Sequence, residues 1–166
     1  DLPAMDDDEE RRGRPTCHIK FGEGMALLAG DALLTEAFRV VLDPANYCGH
    51  IDAETIVTVA LRLSEAAGMR GMVGGQSLDL GFEGPIPDET TLTFLHRRKT
   101  GELFRFALFA GATLGGGNAQ QVQALSEYGE SLGLSFQVAD DLLDASQDHG
   151  APPAGLDATP SFPELL

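Results

Sequence analysis

The sequence predicts an all-α protein. Three observations carry that expectation: apolar runs with helical spacing, capping residues at the starts of those runs, and no alternating strand pattern, internal repeat or low-complexity tract in 166 residues. Residues 1–16 pack six acids and three arginines around Pro3, Gly13 and Pro15. They read as a helix end running into a loop. Residues 21–42, with MALLAGDALLTEAFRVVL, read as a first helix with little polar surface, on which Asp31 is a polar face residue. Pro44 and Asn46 break it, and Asp52 is a candidate N-cap for one long helix over 52–80. Gly68, Gly71, Gly74 and Gly75 within that stretch fit a helix packed closely against a neighbour or ligand.

Gly84, Pro85 and Pro87 form a turn, and Asp88 caps a third helix reaching to residue 115. That helix carries a basic band of His96, Arg97, Arg98, Lys99 and Arg105, which reads either as a solvated face or as an anion site. Asn118 with Gln121 gives a capping-box start to a fourth helix ending near residue 146. The Pro- and Gly-rich tail reads as loop.

Composition narrows the function. Eleven Lys and Arg against 26 Asp and Glu give a net charge of −15, which argues against nucleic acid or an anionic membrane surface and suits cation binding. No apolar run nears the ~20 residues of a membrane span. Cys17 and Cys48 lack paired or metal-type spacing, so a reduced cytoplasmic protein is expected. The chain opens on Asp1 without Met or signal peptide, which reads as a fragment.

The fourth helix holds the most chemically pointed stretch, Gly133 to Asp144. Asp140, Asp141 and Asp144 lie at three- and four-residue spacing, so a helix gathers them on one side among Leu134, Phe136, Val138, Leu142 and Leu143. Clustered carboxylates on an apolar helix repel unless a cation compensates them, and hard oxygens with open positions suit Mg²⁺ shared with phosphates. A solvated acidic face is the alternative.

Two acidic clusters, one followed by Arg-Arg-Gly-Arg-Pro-Thr and one reading Phe-Gln-x-x-Asp-Asp-x-x-Asp, resemble the trans-isoprenyl diphosphate synthases of the polyprenyl synthetase family. So do Cys17-His-Ile-Lys-Phe-Gly-Glu, Leu28-Ala-Gly-Asp-Ala-Leu, Gly74-Gly-Gln-x-x-Asp-Leu80, Lys99-Thr-Gly-x-Leu and Tyr128-Gly-Glu-x-Leu-Gly-Leu. The likeness runs nearly the whole length and is greatest to the bacterial short-chain farnesyl and geranylgeranyl branch.

The resemblance implies an isoprenoid synthase-type antiparallel helical bundle around a cavity. Residues 1–166 would supply its central helices as a single, incomplete domain of a homodimer. It implies head-to-tail condensation of isopentenyl diphosphate with dimethylallyl, geranyl or farnesyl diphosphate, with Mg²⁺ as cofactor and Mn²⁺ as a substitute. By position, Asp1 and Asp6 would be metal ligands of the first cluster, and Asp140, Asp141 and Asp144 those of the second. Asp7 and Asp8 would be solvated or one shell out. Arg11 would contact the allylic diphosphate and Arg12 the isopentenyl diphosphate. Lys99, Thr100 and Gln137 would line the allylic site, with Gln76 and Phe136 near the prenyl groups. Catalytic weight would fall on Asp1, Asp6, Lys99 and Asp140.

The sequence departs from the family's pattern in several ways. The first aspartate of the DDxxxxD motif would precede Asp1, the family's N-terminal and C-terminal helices are expected to be missing, Glu10 stands where an apolar residue is expected, and residues 146–163 lack the usual lysine. A non-catalytic subunit or truncated remnant paired with a catalytic partner is therefore the alternative, and a terpene cyclase a third reading.

Overall fold

The computed structural model describes residues 1–49, 51–81 and 88–147, with side chains up to residue 143. The chain divides into two compact units, Asp1–Gly49 and His50–Leu166.

In the first unit the acidic stretch is a series of turns rather than a helix end. It leads into a two-residue antiparallel ladder, β1 (Glu10–Arg11) with β2 (Arg14–Pro15), in which Glu10 faces Pro15 and Arg11 faces Arg14. The turn between them is tight enough to put Arg12 at φ 53° and Gly13 at φ 72°. Thr16 anchors the stretch from the other side. Its hydroxyl donates to the Asp8 carbonyl at 2.6 Å and its amide to the Glu9 carbonyl at 2.9 Å. Because that single O–H proton goes to Asp8, the 3.2 Å contact with His18 requires Nδ1–H of the imidazole to donate. Two helices follow, α1 (Cys17–Phe21), which was not predicted, and α2 (Glu23–Leu42), close to the helix predicted over 21–42; they are separated at Gly22, whose φ is 87°. α2 buries none of its residues, and Leu27, Leu28, Leu33 and Leu34 are exposed.

The second unit opens with α3 (Ala53–Ala67), capped as expected by Asp52, whose carboxylate accepts from the Thr55 amide at 2.8 Å. Ile56, Val59, Ala60, Leu63, Ala66 and Ala67 recur every three or four residues and form most of the core. The helix predicted to continue to residue 80 stops here. Gly68 closes it by bonding to the Ser64 carbonyl, and the chain then folds so tightly over the end of α3 that a Cβ on Gly71 would lie 2.0 Å from the Ala66 carbonyl oxygen. A separate helix, α4 (Met72–Leu80), starts after this reversal.

Asp88 caps α5 (Glu89–His96) through the Thr91 amide, again as expected. Leu92 and Leu95 bury against the core, and full burial of one such side chain is worth roughly 1.5–3 kcal/mol. α5 then passes without a break through a single π turn, Arg97–Gly101, into α6 (Glu102–Leu114). π turns are rare and concentrate at functional sites. The last described helix, α7 (Ala119–Gln147), begins with the reciprocal box: Asn118 N–H donates to Gln121 Oε1 at 2.9 Å and Gln121 N–H to Asn118 Oδ1 at 3.0 Å.

α7 packs along α6 and against the π turn. Its inward stripe is Ser126, Gly129, Gly133, Gln137 and Asp141, small residues giving way to polar ones. The glycines let the backbones meet: a Cβ on Gly133 would sit 2.7 Å from Gly101 Cα, and one on Gly129 2.9 Å from Arg105 Cα. The apolar residues expected to embed α7 lie largely elsewhere, since Phe136, Leu142 and Leu143 are exposed.

Candidate active site

The π turn is the point around which the second unit's predicted site residues gather. Gly75 of α4 presses on it, with the direction of its missing Cβ aimed at the Lys99 backbone. This close approach brings Asp79, one turn further along α4, to Lys99. Their side chains meet at 2.6 Å, with the carboxylate 8% exposed and the ammonium 29%. Lys99 has three donors and this pair commits one of them.

Thr100 turns toward α7, donating its hydroxyl proton to Gln137 Oε1 at 2.9 Å. The Gln137 amide is thereby oriented, and its NH₂ donates to Asp141 Oδ1 at 3.0 Å. The second Asp141 oxygen lies 3.4 Å from His96 Nε2, both side chains being almost wholly buried. Burial pushes the His96 imidazole below its ordinary pKa, while Asp141 and then Asp79 oppose that shift and Lys99 adds to it. Lys99, Thr100, Gln137 and Asp141, spread over 43 positions of sequence, thus form one connected polar cluster with His96 and Asp79.

The basic band does not form a single anion-facing surface. His96 is buried at Asp141, Arg97 pairs with Glu130 at 3.4 Å, and Arg98 donates to the Arg70 carbonyl while lying over the Phe94 ring. Arg105 pairs with Glu102 at 3.7 Å. Nor do the α7 acids share one environment. Asp140 is exposed and Asp141 buried, as a 100° step between neighbours on a helix dictates. The Asp144 side chain lies outside the described residues. Phe136 stacks at a tilt on Phe104, ring centres 5.4 Å apart, and Gln76 is half-buried on α4 next to Gly75.

In the first unit, Asp1, Asp6 and Asp7 are exposed, and Arg11 lies 3.8 Å from both Asp1 and Asp8 carboxylates. Arg12 extends outward from the ladder turn. Among the described residues no three His, Cys, Asp or Glu side chains converge into a metal cage. Mg²⁺ shared with phosphates needs only one or two carboxylates; in the first unit Asp1 and Asp6, and in the second unit Asp140, are exposed hard-oxygen donors. Asp141 fits that role less well, with an oxygen already on Gln137 and the other beside His96.

His96 and Asp79 are the two residues that sequence reasoning passed over. Asp79 sits inside the quoted Gly-Gly-Gln-x-x-Asp motif without a role, and His96 was grouped with the arginines. A cleft of about 300 Å³ elsewhere in the unit is lined by Arg62, Glu65, Glu102, Arg105 and Phe109, and none of the predicted site residues borders it. Its charges satisfy one another, Arg62 pairing with Glu65 at 2.9 Å.

The chain is similar to known proteins over most of its length. Residues 1–153 match the Polyprenyl synthetase family. The chain is 48% identical over 149 residues to farnesyl diphosphate synthase of Escherichia coli, covering 89% of this chain and 49% of that protein. It is 42% identical over 176 residues to farnesyl diphosphate synthase of Geobacillus stearothermophilus, covering 100% and 57%. Among solved structures, an FPP/GFPP synthase from Zymomonas mobilis superposes with a TM-score of 0.82 at 40% identity, covering 91% of this chain and 54% of that one. A geranyltransferase from Helicobacter pylori, complexed with magnesium and isoprenyl diphosphate, gives 0.82 at 36% identity over 98% of this chain and 53% of its own. The chain spans about half the length of the curated relatives it matches. With its motifs, its helices and their packing all in agreement, it belongs to the polyprenyl synthetase family.

Proposed function

We propose that the protein carrying this chain is a Mg²⁺-dependent prenyltransferase. It condenses isopentenyl diphosphate with an allylic diphosphate (dimethylallyl, geranyl or farnesyl) to give a farnesyl- or geranylgeranyl-length product. One observation carries the reading: Lys99 and Thr100 on the π turn and Gln137 on α7 are joined by the 2.9 Å Thr100–Gln137 bond. These are the residues expected to line an allylic diphosphate.

Lys99 acts as a point charge, keeping two N–H donors for phosphate oxygens while Asp79 holds the third. Thr100 can donate to a phosphate only by releasing Gln137, so ligand binding exchanges an internal bond for an external one. Asp1 and Asp6 in one unit and Asp140 in the other are the carboxylates this reading assigns to Mg²⁺, with Asp144 as a further ligand and Asp141 holding Gln137. When bound, Mg²⁺ neutralises the leaving diphosphate. Arg11 and Arg12 are assigned to the two diphosphates, and Gln76 and Phe136 to the prenyl chain. Exposed Phe136, backed by Phe104, offers an apolar wall for it. The free cysteines suit a cytoplasmic setting, and the uncovered leucines of α2 leave room for a homodimer contact.

The test is incorporation of labelled isopentenyl diphosphate by the complete protein. Product should require an allylic diphosphate, vanish with EDTA and return with Mg²⁺ or Mn²⁺. Turnover that persists under chelation rules the mechanism out. Ligand binding without turnover would instead identify a non-catalytic subunit, and a hydrocarbon or terpene alcohol product a cyclase.

A further inference from the structure

The outermost member of the polar cluster is the least expected one. His96 is the last residue of α5, carries no family role quoted above, and is 6% exposed. Burying a polar ring at a helix end is costly unless the ring holds something in place. What it faces is Asp141 Oδ2, 3.4 Å from Nε2, while the other oxygen of that carboxylate accepts from Gln137. Gln137 in turn accepts from Thr100. The two hydrogen bonds in this series have a fixed donor direction: the glutamine NH₂ donates to the carboxylate, and the glutamine carbonyl is left for the threonine. The imidazole closes the series as a buried polar contact on the second carboxylate oxygen.

We infer that His96 is a positioning residue for the diphosphate site, fixing the Asp141 carboxylate so that Gln137 is held with its carbonyl toward Thr100. The inference rests on the prenyltransferase reading. It goes beyond that reading in naming the group that fixes Asp141 while that carboxylate anchors Gln137. The packing supports it. Gly75 seats α4 on the Lys99 backbone and Gly133 seats α7 on Gly101, so the elements that carry His96, Thr100, Gln137 and Asp141 are held against one another. When a phosphate takes the Thr100 proton, the His96–Asp141–Gln137 portion keeps the glutamine amide oriented.

The experiment measures binding of inorganic pyrophosphate with Mg²⁺ to the complete protein by calorimetry, alongside thermal unfolding without metal. His96→Phe fills the space but removes the polar contact on Asp141, and should weaken binding roughly 10- to 100-fold, the usual effect of removing an outer-shell partner. His96→Gln keeps an N–H donor and should recover most of the loss. Wild-type affinity in the Phe variant overturns the inference, as does a Gln variant as poor as Phe. Should the Phe variant not fold, Asp141→Asn supplies the test. In that background His96→Gln should cost nothing more, and a fully additive loss refutes the linkage. Wild-type protein that fails to bind Mg²⁺–pyrophosphate at all removes the prenyltransferase reading itself. Binding by wild type that the His96 variants leave unchanged removes only the positioning role.

Discussion

Gly75→Ala is the substitution that most directly probes how the site is built. A Cβ there would lie 2.4 Å from Lys99 N, 2.7 Å from Lys99 Cα and 2.8 Å from the Arg98 carbonyl carbon. All three are backbone atoms, so no rotamer change relieves the clash. Ordinary contact begins near 3.4 Å, so α4 and the π turn must part by about 1 Å. The turn cannot simply retreat, because Gly133 of α7 closes on Gly101 from α7. Overpacking of this kind costs about 1–3 kcal/mol. Alanine recovers up to about 1 kcal/mol of helix propensity in α4, so at full recovery the net loss is about 0–2 kcal/mol. The displacement also stretches the 2.6 Å Lys99–Asp79 pair, so affinity for pyrophosphate should fall with stability. Urea unfolding followed by circular dichroism reads the first effect, and calorimetry the second. Gly111→Ala in α6, where no atom lies within 4 Å, is the matched control and should stabilise by up to about 1 kcal/mol. A Gly75→Ala protein as stable as the Gly111→Ala control would show that α4 does not seat on the turn as described.

Lys99→Met should destabilise by about 1–3 kcal/mol, because it leaves the buried Asp79 carboxylate without its cation. Adding Asp79→Leu should return part of that loss, and neutrality of the single variant would contradict the pairing. Asn118→Ala removes half of the reciprocal box and should cost about 1 kcal/mol in urea unfolding. The cap carboxylates of Asp52 and Asp88 are held below their ordinary range by amide bonds from Thr55 and Thr91. Their contribution is therefore complete above the normal carboxylate pKa and is lost as pH falls through the lowered values. Replacing both with Asn, which caps without titrating, should flatten the acid side of the stability profile. An unchanged acid limb would show that other carboxylates set it.

What the sequence made legible was the chemistry of short range. Asp52, Asp88 and the Asn118–Gln121 box announce helix starts because a cap bonds only two or three residues ahead. The break at Gly68 escaped notice because apolar spacing continues across it. The decisive fact, the fold-back of Gly71 over the Ala66 carbonyl, is one of packing. The π turn left no mark either, since its extra residue is stabilised by contacts from α4 and α7 rather than by its own composition. Two readings could have been sharper. Arg97, Arg98 and Lys99 are consecutive and so point in three directions on any helix, and Asp140 and Asp141 likewise diverge. His96 and Asp79 stayed hidden because a buried polar residue declares itself only once its partners, 45 and 20 positions away, are placed.

The π turn has a consequence for how this region tolerates change in length. One residue is worth about 100° of heading along a regular helix, but a π turn winds one extra residue into a wider loop. Deleting one residue of Arg97–Gly101 would therefore return the stretch to regular helix while α5 and α6 keep their heading relative to one another. Leu92 and Leu95 on one side and Ala112 on the other would keep their faces, and the residues of the turn itself would lose theirs. A deletion elsewhere in α5 or α6 would instead swing everything beyond it by about 100°. The turn is therefore the one place along this run where a change of length stays local, and its cost would fall on Lys99 and Thr100.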